Sequence, residues 1–131
     1  MATITPTLTI ASTDAFANQP INLSATAGIV VGAPMADIST VVATTTGANS
    51  IIVPAGTAVT YLYVKHTGTT DGTTGTAHFV DIEDTDNVAV SRLADGEFAF
   101  FPANKAGGST GIQLQTTSGN ILCEYMYFTK A

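Results

Sequence analysis

Val59-Thr60-Tyr61-Leu62-Tyr63-Val64-Lys65-His66 is the strongest strand signal in this chain. β-Branched and aromatic residues fill it, and its side chains alternate with the period of a pleated strand. Leu62 and Val64 are expected to face a core, while Tyr61, Tyr63 and Lys65 share the opposite face. Two tyrosines are more than solvation of an outer face requires. That face is therefore expected to be covered, by a loop or by another subunit.

Working outward, the strand is entered through Val53-Pro54-Ala55-Gly56, a turn with Pro at its preset φ and Gly where φ can be positive. It is left through Thr67-Gly68-Thr69-Thr70-Asp71-Gly72-Thr73-Thr74-Gly75-Thr76, a low-complexity run expected to be a mobile loop tip. Its glycines do not make a phosphate cradle, because no Gly-Lys-Ser/Thr and no helix follow.

The same rhythm fills the rest of the chain. Upstream, Thr3 to Ile10 alternates Ile4, Leu8 and Ile10 with threonines, and Pro6 removes a ladder donor, which suits an edge or partly paired strand. Ser12 to Phe16 is expected to make a single capped helical turn. Ile21 to Ala25, Gly28 to Val31, Ile38 to Thr44 and Ser50 to Val53 follow as short strands. Downstream, Ala77 to Ile82 and Val88 to Leu93 are strands joined by an acidic turn. Asp95-Gly96 then makes a tight turn into Phe98 to Phe101, which Pro102 is expected to end. Ile112 to Gln115 and Ile121 to Thr129, joined by Ser118-Gly119-Asn120, read as a terminal hairpin. The last strand is apolar on both faces, as a central or interface strand would be.

Breakers roughly every 8–12 residues are the signature of a sandwich or barrel. The expectation is an all-β fold: one antiparallel β-sandwich domain over residues 1–131, jelly-roll or Greek-key in type, with residues 1–15 as an arm or edge strand. About nine or ten short strands fit two packed sheets, and a small closed barrel is the second choice.

Composition says what kind of surface this body presents. Only 11% of the residues are charged, against about 25% in typical soluble domains. The mean hydropathy is +0.31, yet the apolar residues come in short runs that could not cross a membrane. Threonine, about one residue in six, supplies much of the wetting. A hydroxylic, charge-poor β surface can be laid against other protein with few ions to desolvate.

The net charge is −6, and Lys65, Arg92, Lys105 and Lys130 are the only basic side chains. Scattered as they are, they form no cationic stripe, so neither direct nucleic-acid binding nor an anionic membrane partner is expected. The single cysteine, Cys123, excludes an intramolecular disulfide framework and is expected to be a buried free thiol. No signal peptide is evident in Met1 to Pro6, and without one the Asn22-Leu23-Ser24 glycosylation pattern carries no weight.

Few residues point to chemistry. Asp81-Ile82-Glu83-Asp84-Thr85-Asp86 is the densest acid cluster, with Asn87 a further oxygen. It reads as a solvated turn, with calcium the alternative, since no glycine among the acids makes the sharp bend such loops use. His66 and His78 bracket the Gly/Thr loop without the further ligands zinc needs. They are expected to be partly exposed strand-end histidines. Glu97 and Glu124 are candidates for paired carboxylates, but sequence does not fix their separation. No nucleophile-elbow or nucleotide-binding pattern occurs. The expectation is a non-enzymatic protein with no catalytic, cofactor or metal site.

Arg92-Leu93-Ala94-Asp95-Gly96-Glu97-Phe98-Ala99-Phe100-Phe101-Pro102, Ile112-Gln113-Leu114-Gln115 and Glu124-Tyr125-Met126-Tyr127-Phe128-Thr129-Lys130 resemble small virion structural proteins of tailed bacteriophages. Leu8 to Asp14 and Tyr61 to Gly68 are similar to the same group. The resemblance implies a capsid decoration (cement) protein on the virion exterior, made in the host cytoplasm. Its implied partner is the major capsid (coat) protein, and its implied state a homo-oligomer, a trimer, with Tyr61, Tyr63, Tyr125 and Phe128 as core or contact anchors. A neck, tail or fibre component, or a carbohydrate-binding sandwich used in host attachment, are the alternatives. The absence of tryptophan weighs against the last.

Overall fold

A computed structural model of the chain describes residues 2–16, 19–47, 50–57, 60–103 and 110–131. The Val59 and Lys105 positions fall outside them. Among the described residues there are eleven strands and no α-helix, so the fold is all-β, and its paired strands run antiparallel. The chain divides into two compact units, Met1–Gly32 with Ala131, and Ala33–Lys130.

The first unit holds β1 (Thr3–Ile4), β2 (Thr7–Phe16), β3 (Gln19–Thr26) and the start of β4 (Ile29–Ala43). Pro6, which has no N–H to give a ladder, falls in the gap between β1 and β2. β1 pairs with the start of β4, Thr3 opposite Val30 and Ile4 opposite Ile29. β2 and β3 form a two-stranded ribbon with Thr7 opposite Thr26, Ile10 opposite Leu23 and Ser12 opposite Ile21. Ser12 to Phe16, expected to be a helical turn, is instead the end of β2, with the register shifting between Ser12 and Phe16. A lone helical turn fixes several dihedrals for one hydrogen bond, whereas extension keeps this segment beside a partner strand.

The second unit is a two-sheet sandwich. One sheet runs β4, β11 (Ile121–Lys130), β6 (Thr60–His66), β9 (Phe98–Ala103). The other runs β5 (Ile51–Val53), β10 (Ile112–Thr116), β7 (Val80–Asp84), β8 (Ala89–Leu93). Between them lies one apolar core that takes Leu62 and Val64 from β6 and Cys123 and Tyr127 from β11. The facing layer supplies Val80, Ile82, Leu93 and Leu114. The alternation read in β6 is borne out: Leu62 and Val64 are fully buried, while Tyr61 and Tyr63 lie half-buried on the outer face.

Three expectations about connectivity are corrected. The two short strands expected at Gly28 to Val31 and Ile38 to Thr44 are parts of one 15-residue strand, β4, from Ile29 to Ala43. Pro102 does not end β9, which continues to Ala103; β9 is an edge strand, where a missing donor costs no ladder bond. β10 and β11 are not a hairpin. They lie in different sheets, and Ser118-Gly119-Asn120 is a corner between layers, held by the Thr116 hydroxyl donating to Gly119 O at 2.6 Å. The Asp95-Gly96 turn is likewise a corner, taking the chain from β8 in one sheet to β9 in the other. It has the expected geometry, with Gly96 at φ 74° and Glu97 N–H donating to Ala94 O at 3.1 Å.

Candidate interaction surfaces

The outer face of the β9–β6–β11 sheet is built by register. Tyr61 lies opposite Pro102 on one side and Phe128 on the other; Tyr63 lies between Phe100 and Met126; Lys65 lies between Phe98 and Glu124. Cross-strand partners share a face, so the alternation of three strands gathers these aromatic rings on one surface. Tyr61 stacks on Phe128 with centroids 5.4 Å apart and planes 9° from parallel, and on Phe100 at 6.0 Å. Tyr63 leans on Phe98 at 6.5 Å. Phe128 is buried, but Phe98 is 62% exposed and Phe100 38%. At the polar end of this face the Tyr63 hydroxyl donates to Glu124 Oε1 at 2.9 Å. Burial first, and the Glu124 carboxylate second, raise the Tyr63 hydroxyl above its ordinary 10.0. Tyr125 belongs elsewhere: it points to the inner side and packs against the core.

The β2–β3 ribbon presents the second surface. Its register puts Leu8, Ile10, Leu23, Ala25 and Ile21 on one side, and Thr7, Thr9, Asn22, Ser24 and Thr26 on the other. Both sides are open. Leu8, Ile10 and Leu23 are 51%, 48% and 47% exposed. Residues 1–36 contain a single charged residue, Asp14. A shallow hollow on this ribbon is lined by Ala11, Ser12, Thr13, Pro20, Ile21 and Asn22, which offers hydroxyls and an amide and no acid–base pair. Leu8 and Ile10 were legible as one face of a strand, but nothing in the sequence indicated that this face would stand uncovered.

The candidate chemical residues are each tied into the scaffold. The acidic turn is only partly solvated: Asp86 is exposed as expected, but Asp81, Glu83 and Asp84 are all buried. Asp81 takes a two-pronged ion pair from Arg92, Nε at 2.6 Å and Nη2 at 2.8 Å, which also raises the guanidinium's pKa. The Arg92 guanidinium lies 5.8 Å from the centre of the Phe79 ring. Asp84 Oδ1 accepts the N–H groups of Asp86 and Val88, closing the turn. Gln113 Nε2 donates to both Glu83 and Asn87. These oxygens are occupied by protein donors, and among the described residues no group of three or more His, Cys, Asp or Glu is arranged to hold a metal ion.

His66 is fully buried rather than partly exposed. Its Nδ1 accepts from Gly68 N–H at 2.9 Å, so Nε2 carries the proton and donates to His78 O at 2.9 Å. The two histidines are neighbours, as the loop suggested, but through a ring-to-backbone bond. Glu97 and Glu124 do not act as a pair: Glu97 Oε2 accepts Ala94 N–H at 2.8 Å within its turn, and Glu124 serves Tyr63. Cys123 is buried as expected, and desolvation pushes its thiol up to about 12.

The Gly/Thr run is braced rather than loose. Asp71 accepts the N–H and hydroxyl groups of both Thr73 and Thr74, and Thr70 N–H donates to Thr74 O. Thr67 Oγ1 and Thr69 O tie the same loop to Leu122.

Comparison with known proteins returns no matching family model, no matching curated protein and no matching solved structure.

Proposed function

We propose that this chain is a non-enzymatic structural protein of a tailed-bacteriophage particle. In this reading it is a decoration (cement) protein that binds coat subunits on the capsid exterior as a homo-oligomer, a trimer. The observation that carries the reading is the exposed β2–β3 ribbon, uncharged along its paired length and open on its apolar side. An isolated two-stranded ribbon is marginal in water, and gains stability when its apolar side is covered. Such an element suits a protein that is completed by assembly.

The exposed aromatic face supports the same reading. Aromatic anchors are what durable contacts use, and Phe98, Phe100 and Tyr63 give them on a face whose charges, Lys65 and Glu124, stand at one end. The resemblance of the Arg92–Pro102 and Glu124–Lys130 tracts to small virion proteins gives the context. A ligand that binds only the assembled shell stabilises it by mass action, about 2.7 kcal/mol per site at a free concentration one hundred times Kd. Repeated over many sites, this opposes the outward pressure of packed DNA.

The test is reconstitution. Heads lacking the protein are mixed with the purified chain, and the temperature at which they release DNA is followed. The reading predicts saturable binding and later release; no binding to heads, with selective glycan binding instead, would replace it with the attachment reading. Copy number in native particles bears on position: hundreds of copies fit decoration, and about a dozen or fewer fit a neck or tail position.

A further inference from the structure

We infer that the apolar side of the β2–β3 ribbon is covered by a second copy of this chain, seated on that copy's Phe98–Phe100–Tyr61–Tyr63 sheet face. The inference rests on the homo-oligomer part of the reading above and not on its virion part, so the two can fail separately.

Charge comes first. The chain is acidic, at −6, so two copies repel wherever their carboxylates meet. Identical chains touch at least cost where neither carries charge. The ribbon is such a place: Thr7 to Thr13 and Gln19 to Thr26 contain no charged residue. The aromatic face confines its charges to one end, at Lys65 and Glu124.

Size decides which surface receives the ribbon. The ribbon pairs six consecutive positions, Thr7 to Ser12, with Ile21 to Thr26. At about 3.4 Å per residue and two strands about 4.8 Å apart, one side covers roughly 20 by 10 Å, or about 300 Å² with side-chain relief. A stable interface buries about 800 Å² per partner. Ribbon against ribbon therefore falls well short.

If each chain gives its ribbon and receives another on its aromatic face, every copy contributes two contacts and the area per copy roughly doubles to about 600 Å², the lower end of the range for specific interfaces. The aromatic face has the matching dimension: Phe98 to Pro102 spans five residues of β9, roughly 17 Å along the strand, and is three strands wide. Each surface occurs once per chain, so a closed set of copies leaves neither bare. Such a giving-and-receiving contact closes into a ring when its rotation permits.

The experiment uses the full chain in solution. Light scattering during size exclusion should report a discrete oligomer, a small whole multiple of 13.4 kDa. Ile10→Glu on the ribbon and Phe98→Glu on the sheet should each reduce it to the single-chain mass while leaving the far-ultraviolet circular dichroism of the sandwich unchanged. Both positions are exposed in the single chain, so neither change opens a cavity. A pairing test fixes the partner surface. An Ile10→Cys chain mixed with a Phe100→Cys chain should form the mixed disulfide under mild oxidation, in preference to the Ile10→Cys chain with itself.

A single-chain mass for the unaltered protein at high micromolar concentration overturns the inference. So does an oligomer that Ile10→Glu leaves intact, or a pairing test in which Ile10→Cys chains join only each other. If the unaltered protein is monomeric yet binds heads, the ribbon's occupant is coat protein and the proposed function stands without this inference.

Discussion

Asp71 shows how one side chain shapes a stretch that composition alone makes look shapeless. Its carboxylate collects the N–H groups of Thr73 and Thr74 together with both hydroxyls. The Thr74 N–H is the largest cause and the Thr73 N–H the next in lowering its pKa from 3.8 to about 2. A folded-state pKa below the unfolded one means that the bracing is present above pH 3.8 and is lost as pH falls through about 2. In an NMR titration the amide protons of Thr73 and Thr74 should move together with a midpoint near 2; a midpoint at 3.8 would mean that these bonds do not form in solution. The spacing of Asp71, Thr73 and Thr74 is visible in the sequence, but the convergence of four donors on one carboxylate is a matter of loop geometry. His66 makes the same point in the core. As a residue type it is compatible with exposure or burial, and it was only the two ring bonds, to Gly68 N–H and His78 O, that settled it as a buried, singly protonated strut.

At the scale of elements, alternation was legible and pairing was not. Leu62 and Val64 against Tyr61 and Tyr63 read correctly because a pleat forces neighbours to opposite faces whatever the partner strand is. The Ile112–Gln115 and Ile121–Thr129 pair misled because Ser-Gly-Asn looks the same in a hairpin and in a corner. What separates them is that Leu114 and Ile121 are both fully buried while their strands lie in different sheets. The Asp95-Gly96 corner gives a direct test. Gly96 sits at φ 74° with open space where a Cβ would point. Gly96→Val should therefore cost about 1 kcal/mol or more from backbone strain alone, read as a lower midpoint in urea with an unchanged slope.

The two faces of the large sheet predict opposite responses to truncation. Leu62→Ala should cost about 2–5 kcal/mol, because it empties a fully buried site between the layers. Phe98→Ala should change the stability of the single chain by no more than about 0.5 kcal/mol, because its ring is largely in water there. Measured by denaturation of the isolated chain, a large loss at Phe98 would show that this ring serves the fold rather than a partner.

At the scale of the molecule, the all-β class and the packed two-sheet body followed from strand spacing and breakers. The open ribbon did not, since Thr3 to Ala25 has the same alternation as strands that are covered. Exposure is a property of the whole arrangement, and short-range pattern does not contain it. The surface chemistry was legible: few charges, many hydroxyls and aromatic rings on the outer side of the strongest strand. The acidic cluster was misjudged for the complementary reason. Carboxylates usually mark solvent, but here Arg92, Gln113 and the turn's own N–H groups supply enough partners to bury three of them. Electron cryomicroscopy of the native particle tests the central claim most directly. The account predicts hundreds of copies on the outer shell, with the Leu8–Ile10–Leu23 side of the ribbon and the Phe98–Phe100 face both buried in protein contacts. Density confined to the neck or tail, or copies on the shell with those two faces still in solvent, would contradict it.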